Sequence, residues 1–162
     1  MSWEFKKYPL YYGSTRQTYP NIKPGTAFLS KSVILGNLIF LSGFDGRSLE
    51  TGQVTSDKFD EQLITCLDTI RSALEEAGSS MNNLAKNFIL LRNAENSARM
   101  WEIMLEYYQR HAPDLLEQPP AVTVITVIEL AKPECLIEID SMAVLSKDTP
   151  GWEMMKLPMM YG

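Results

Sequence analysis

The chain is poor in the residues and motifs that most often announce an activity, and each shortage removes a class of chemistry. Its single histidine is His111, and no cluster of His, Cys, Asp or Glu stands at ligand spacing, so no metal site is expected. G-x-S-x-G, P-loop, H-E-x-x-H and G-x-G-x-x-G patterns are all missing, which removes the usual serine-hydrolase, phosphate-binding, zinc-protease and dinucleotide signatures, and no cofactor is expected. His111 falls at the end of a helical segment, where a cation suits the dipole; with no Ser or Cys motif beside it, its expected role is structural. Basic residues form no block: 15 Lys and Arg face 20 Asp and Glu, for a net charge of −5. Such an acidic chain is a poor binder of phosphate backbones, so no nucleic-acid partner is expected. No apolar run approaches membrane-spanning length and the N-terminus has no apolar leader, so the expected location is cytoplasmic, with no membrane partner. The two cysteines, Cys66 and Cys135, lack C-x-x-C spacing. They read as buried thiols in a reducing compartment, and less readily as a disulfide pair.

What is present suits one folded domain. The 162 residues are 45% hydrophobic and 22% charged, enough to bury a real core. Gln118 to Leu145 organises the rest and reads as two long strands joined by a short turn. Val122 to Leu130 is β-branched at almost every position, which favours a strand. Lys132-Pro133-Glu134 interrupts it, and Leu136 to Leu145 resumes it. In the second strand, alternation sets Glu138 and Asp140 on one face with Leu136 and Met142, and Ile137, Ile139 and Ala143 on the other. A carboxylate on a largely apolar face must reach water in a cleft or find a partner, so Glu138 is the first candidate for function.

Upstream, residues 1–28 interleave Tyr8, Tyr11, Tyr12 and Tyr19 with prolines and glycines, and read as an aromatic arm with a short strand near Trp3 to Tyr8. Ser30 to Leu35 and Leu38 to Ser42 read as a hairpin turning at Gly36-Asn37. A glycine-bounded loop follows, Gly43 to Gly52, and Gln53 to Thr55 suggests a further short strand. Ser56 or Asp57 caps a helix whose stripe is Phe59, Leu63, Leu67, Ile70, Leu74 and Ala77, and Gly78 ends it. Lys86 to Arg92 is a strand. Asn93 or Asn96 opens a second helix, running to about Arg110, with Trp101, Met104, Leu105 and Tyr108 as its apolar stripe. The tail, 148–162, holds four methionines with Trp152 and Tyr161, and reads as a segment packed on the body or over a pocket mouth. The expected class is α+β: a mixed sheet with two helices on one face. Two helices leave the other sheet face uncovered, which argues for an oligomer that buries it or for cover by the aromatic arm.

Taken in order, these segments resemble the YjgF/Rid family, also called L-PSP endoribonuclease-like. LSKSVILGNLIFLSG (Leu29 to Gly43) is similar to the family's opening hairpin with its Ser-Gly. Glu61-Gln62 with Ala77-Gly78 fits its "EQ…AAG" pattern, Tyr107-Tyr108 its aromatic pair, and PPAV…LIEIDSMAV its P-A-R…I-E-I-E-A-I-A ending. The resemblance covers about Leu29 to Leu145 and places the family-like domain at 29–147. It implies a chorismate-mutase-like fold and a homotrimer whose sheets form an inner barrel, with small-molecule pockets at the subunit interfaces. It also implies hydrolysis of enamines and imines to ketones and ammonia. By the same resemblance Glu138 is the catalytic glutamate that handles water, and Ser42, Gly43, Leu29, Trp101 and Val122 fall at pocket positions.

Several of those positions depart from the family. Val122 stands where the family has the arginine that clamps a substrate carboxylate. Leu29 stands where members often have tyrosine, and Trp101 near a common asparagine. Losing a charge-assisted contact of that kind costs about 2–5 kcal/mol of binding, so efficient deamination of a small 2-imino acid is not expected. Arg47, Arg16 and Lys31 are candidate replacements for the missing cation. Two functions follow as expectations: a deaminase-type hydrolase of more apolar specificity, or a non-catalytic ligand-binding trimer. RNA cleavage, which the family's older name suggests, is disfavoured by the acidity.

Overall fold

The computed structural model describes residues 5–10 and 29–146. Most of the aromatic arm, with Arg16, and the methionine-rich tail lie outside the described residues. Among the described residues seven strands form one sheet: β1 (Phe5–Leu10), β2 (Leu29–Leu35), β3 (Leu38–Leu41), β4 (Phe44–Asp45), β5 (Leu84–Leu91), β6 (Ala121–Thr126) and β7 (Ile137–Val144). The helices are α1 (Phe59–Glu76) and α2 (Ser97–His111). The sheet order is β1-β2-β3-β7-β5-β6, with the two-residue β4 also on β7. Only β5 and β6 run parallel, so the sheet is mixed and the class α+β, as expected.

Local chemistry accounts for most elements. The β2–β3 hairpin turns at Gly36-Asn37, where Gly36 takes φ 62°, a conformation that costs glycine little. In α1 the expected stripe is buried from Phe59 to Ala77. The chain leaves this helix at Gly78, φ 85°, and Ser79 N–H donates to Leu74 O at 2.8 Å. The cap position of α1 is Lys58, past the expected Ser56 or Asp57, and its N–H donates to Ser56 Oγ at 3.0 Å. Alternation on β5 and β7 places Asn87, Ile89 and Leu91 with Ile137, Ile139, Ser141 and Ala143 in the buried layer. These meet Leu63, Leu67, Ile70 and Leu74 of α1 and Met100, Met104 and Tyr108 of α2. One polar relay is embedded there: Ser141 Oγ donates to Asn87 Oδ1, and Asn87 Nδ2 donates to Tyr108 Oη.

Several expectations are corrected. The two strands read from Val122 to Leu145 are not partners, because β5 lies between them. The first of them also ends at Thr126, since β5 stops at Leu91 and offers no ladder beyond it. Past that point Ile128 is 99% exposed. The stripe of α2 is rotated: Met100, Ile103, Met104, Tyr107 and Tyr108 face inward, whereas Trp101 and Leu105 are exposed. The segment Gln53 to Thr55 is not a strand and contributes one bridge, Arg47 to Val54. Finally, the Gly43–Gly52 loop contains a strand, β4, that composition did not signal.

Candidate functional site

Glu138 projects from β7 on the sheet face away from the helices, because its neighbours Ile137 and Ile139 fill the helix side. In the ladder it is paired with Leu90 of β5 on one side and Asp45 of β4 on the other. Its carboxylate lies across Gly43: a Cβ built there would stand 2.1 Å from Glu138 Oε1 and 2.9 Å from Cδ. Gly43 is therefore the residue whose missing side chain gives the acid its place. Glu138 is partly buried, and the lost hydration pushes its carboxyl above the usual range. Asp45 pushes the same way, Arg47 opposes, and Asp140 adds a smaller upward push.

Asp45 and Arg47 form a tight unit beside it. Asp45 is 5% exposed. Arg47 Nε donates to Asp45 Oδ1 at 2.9 Å and Oδ2 at 2.8 Å, one Nη lies 2.7 Å from Oδ2, and the Arg47 backbone N–H donates to Oδ1 at 3.0 Å. Directly paired acids on adjacent strands repel, and the bidentate guanidinium offsets that repulsion. Both cysteines adjoin the unit. Cys66 Sγ donates to Phe44 O at 2.8 Å, and the Cys135 thiol is pushed up to about 11, first by burial and then by the nearby Asp45 carboxylate. The two thiols are buried and unbridged.

The loop bearing this unit is fixed at each step. A Cβ on Gly46 would come within 2.6 Å of the Gln62 side chain. That fully buried amide ties the start of α1 to the entry of β7: Nε2 donates to Ser56 O and Glu134 O, and Oε1 accepts from Leu136 N–H. Thr55 N–H and Thr55 Oγ1 both donate to Gly46 O.

The predicted pocket residues are placed unequally. Ser42 and Gly43 end β3 beside Glu138, with Ser42 Oγ donating to Ser30 O at 2.7 Å, and Arg47 joins them through Asp45. Leu29 begins β2, two strands from β7, and is exposed. Trp101 is exposed on α2, in the helix layer. Val122, on β6, pairs with Asn87 of β5 and packs against the core, so it faces the helices while Glu138 faces away. Lys31 is held by Glu76 of α1. Sequence reading missed Asp45. Its one signal was position: an acid two residues before Arg47 in a loop opening on Ser-Gly. A cleft of about 470 Å³ lies nearby, lined by Val54, Ser56, Asp57, Arg92, Glu134 and Leu136, but Glu138 does not line it. Among the described residues, the face bearing Glu138 is an open sheet surface. Among the described residues no group of three or more His, Cys, Asp and Glu is placed to hold a metal ion. None of their helices is long and apolar enough to cross a membrane.

Comparison with known proteins agrees with this architecture. A RutC family protein of Pyrococcus abyssi is 32% identical over 114 residues, covering 70% of this chain and 84% of the relative. A 2-iminobutanoate/2-iminopropanoate deaminase of Dermatophagoides farinae is 25% identical over 116 residues, covering 72% and 84%. Among solved structures, E. coli TdcF with bound serine matches with a TM-score of 0.67 at 22% identity, over 87% of this chain and all of that one. The E. coli YjgF gene product matches with a TM-score of 0.65 at 24% identity, over 75% and 90%. The Endoribonuclease L-PSP family model matches residues 21–145, and on that match, together with the archaeal relative, this chain belongs to the Endoribonuclease L-PSP family.

Proposed function

We propose that the chain is a deaminase-type hydrolase of enamines and imines, with a more apolar specificity than its relatives, working in pockets between the copies of a cytoplasmic homotrimer. The observation that carries this reading is the seat of Glu138: a partly buried carboxylate laid over Gly43, raised above its ordinary range, beside a fixed Asp45–Arg47 pair. In the reaction, water adds to the imine carbon and a C–O bond forms. Glu138 takes one water proton and passes it to nitrogen, then moves the hydroxyl proton of the resulting carbinolamine to the same nitrogen as the C–N bond breaks, giving a ketone and ammonia. A carboxyl poised above its usual range suits a group that both takes and gives a proton. The intersubunit pocket is supported by the open side of the sheet, which carries exposed Leu35, Leu38 and Phe40. The relative named as an imine deaminase supports the reaction class.

The test is ammonia release from enamine and imine substrates by wild type and Glu138→Gln. Loss of release in the variant is expected, and equal rates in both would remove Glu138 from the mechanism. The departure from the family's arginine at position 122, read from the sequence, favours a second reading, a ligand-binding trimer without turnover. That reading predicts thermal stabilisation by apolar acids or aromatics with no ammonia released.

A further inference from the structure

The charges around Glu138 point to a ligand class. The Arg47 guanidinium, the cation that bears on Glu138, is already matched by Asp45 through Nε and one Nη. Lys86, on the same open side, is held by Thr123 Oγ1, and Lys31 by Glu76. Position 122 contributes no charge and faces the helices. Asp140 adds a second carboxylate on the face of Glu138. Among the described residues, the cation that bears on Glu138 is thus matched by Asp45, while Glu138 and Asp140 add two carboxylates to that face.

We propose that this site selects cationic, carboxylate-free ligands, namely iminium ions and the amines that resemble them, and that Asp45 sets this preference by neutralising Arg47. The proposal rests on the reading of Glu138 as the functional centre and narrows it. An iminium ion is the electrophilic form of an imine, and an adjacent carboxylate stabilises its charge. Its hydrolysis balances in atoms and charge, since an N-unsubstituted iminium ion and one water give a ketone and an ammonium ion. The water oxygen forms the new C–O bond, and nitrogen leaves with the C–N electron pair and both water protons. An enamine enters the same route after protonation at carbon. A 2-imino acid would instead bring its own carboxylate toward Glu138 and Asp140, and like charges in one site are strongly disfavoured.

The test uses n-butylammonium, butyrate and butyramide as charge-varied probes of one size. Backbone amides of Gly43, Asp45 and Glu138 are followed by NMR at neutral pH. In wild type, butylammonium is expected to bind about tenfold or more tighter than butyrate. Glu138→Gln should abolish that preference, and Asp45→Asn, which removes the negative charge set against the guanidinium, should shift it toward butyrate. The Glu138 variant keeps the test decisive if the Asp45 variant does not fold. Equal or tighter binding of butyrate by wild type overturns the proposal, as does no response to any probe. Efficient ammonia release from 2-iminopropanoate would sink this proposal and leave the deaminase reading standing. Cation selectivity with no turnover of any imine would do the reverse.

Discussion

At the scale of single residues, the contact between Gly43 and Glu138 is the tightest constraint on the site. A methyl at position 43 would occupy the space of the Glu138 carboxylate. What must move is the far end of a flexible side chain, so the fold tolerates the change while the acid loses its place. Gly43→Ala should lower unfolding free energy by no more than about 1 kcal/mol and yet reduce ammonia release to the level of Glu138→Gln. Urea denaturation and the activity assay read the two effects separately, and full activity in this variant would show that the seat is dispensable. Glu138 also carries a pH signature. Its folded carboxyl titrates above the ordinary range, chiefly through burial, so between the ordinary and the raised value the folded state binds more protons than the unfolded one. Stability therefore falls as pH rises through that window, and the cost is fully present above it. Glu138→Gln should then be more stable than wild type at neutral pH, with the gain shrinking as pH falls through that window and gone below the ordinary glutamate range. A gain that is constant with pH would contradict this origin.

At the scale of elements, the segment from Gly43 to Arg47 holds its shape through Gln62. Replacing Gln62 with leucine keeps the volume and strands three backbone groups, the Leu136 N–H and the carbonyls of Ser56 and Glu134. Each unmet buried group costs about 1–3 kcal/mol, so Gln62→Leu should destabilise by about 3 kcal/mol or more in urea, and a loss under about 1 kcal/mol would deny the amide its role. The same elements show what could be read from sequence. The α1 stripe, the Gly36-Asn37 turn and the alternation of Ile137, Glu138 and Ile139 were legible because each follows from local periodicity or from glycine conformation. β4 was not legible, since two residues carry no period and its pairing partner lies more than ninety positions away. The place of β5 between β6 and β7 was not legible for a related reason: a proline turn marks where strands stop, not whether they pair. In the site, Glu138 stood out as an acid on an apolar face. Asp45 did not, because its partnership depends on a ladder contact that no local pattern encodes. The outward turn of Trp101 was missed because α2 has apolar residues on both sides of its stripe, and sheet contacts decide which side is buried.

At the scale of the whole molecule, the open side of the sheet sets the last expectation. Phe40 sits between Val33 and Met142 in the ladder, with Leu35 and Leu38 paired in an adjoining row, and these large side chains are exposed or only partly buried on one copy. A contiguous apolar surface of this kind is uncommon on monomers, and the same side carries Glu138. If copies meet there, association and the functional site are a single event. Phe40→Lys tests that coupling, because it adds a cation beside a ladder position already flanked by Lys7 and Lys86 through Val33 and Met142. Wild type should sediment at three times the 18.4 kDa of one chain, with a Tm that rises with protein concentration, as linked association requires. The variant should sediment as a single chain and lose ammonia release, or ligand stabilisation if the protein only binds, although Phe40 is remote from the chemistry. A variant that dissociates and keeps its function would place the whole site on one copy. A wild type that sediments as one chain would mean that this side is covered by the chain's own segments, and the intersubunit pocket would have to be abandoned.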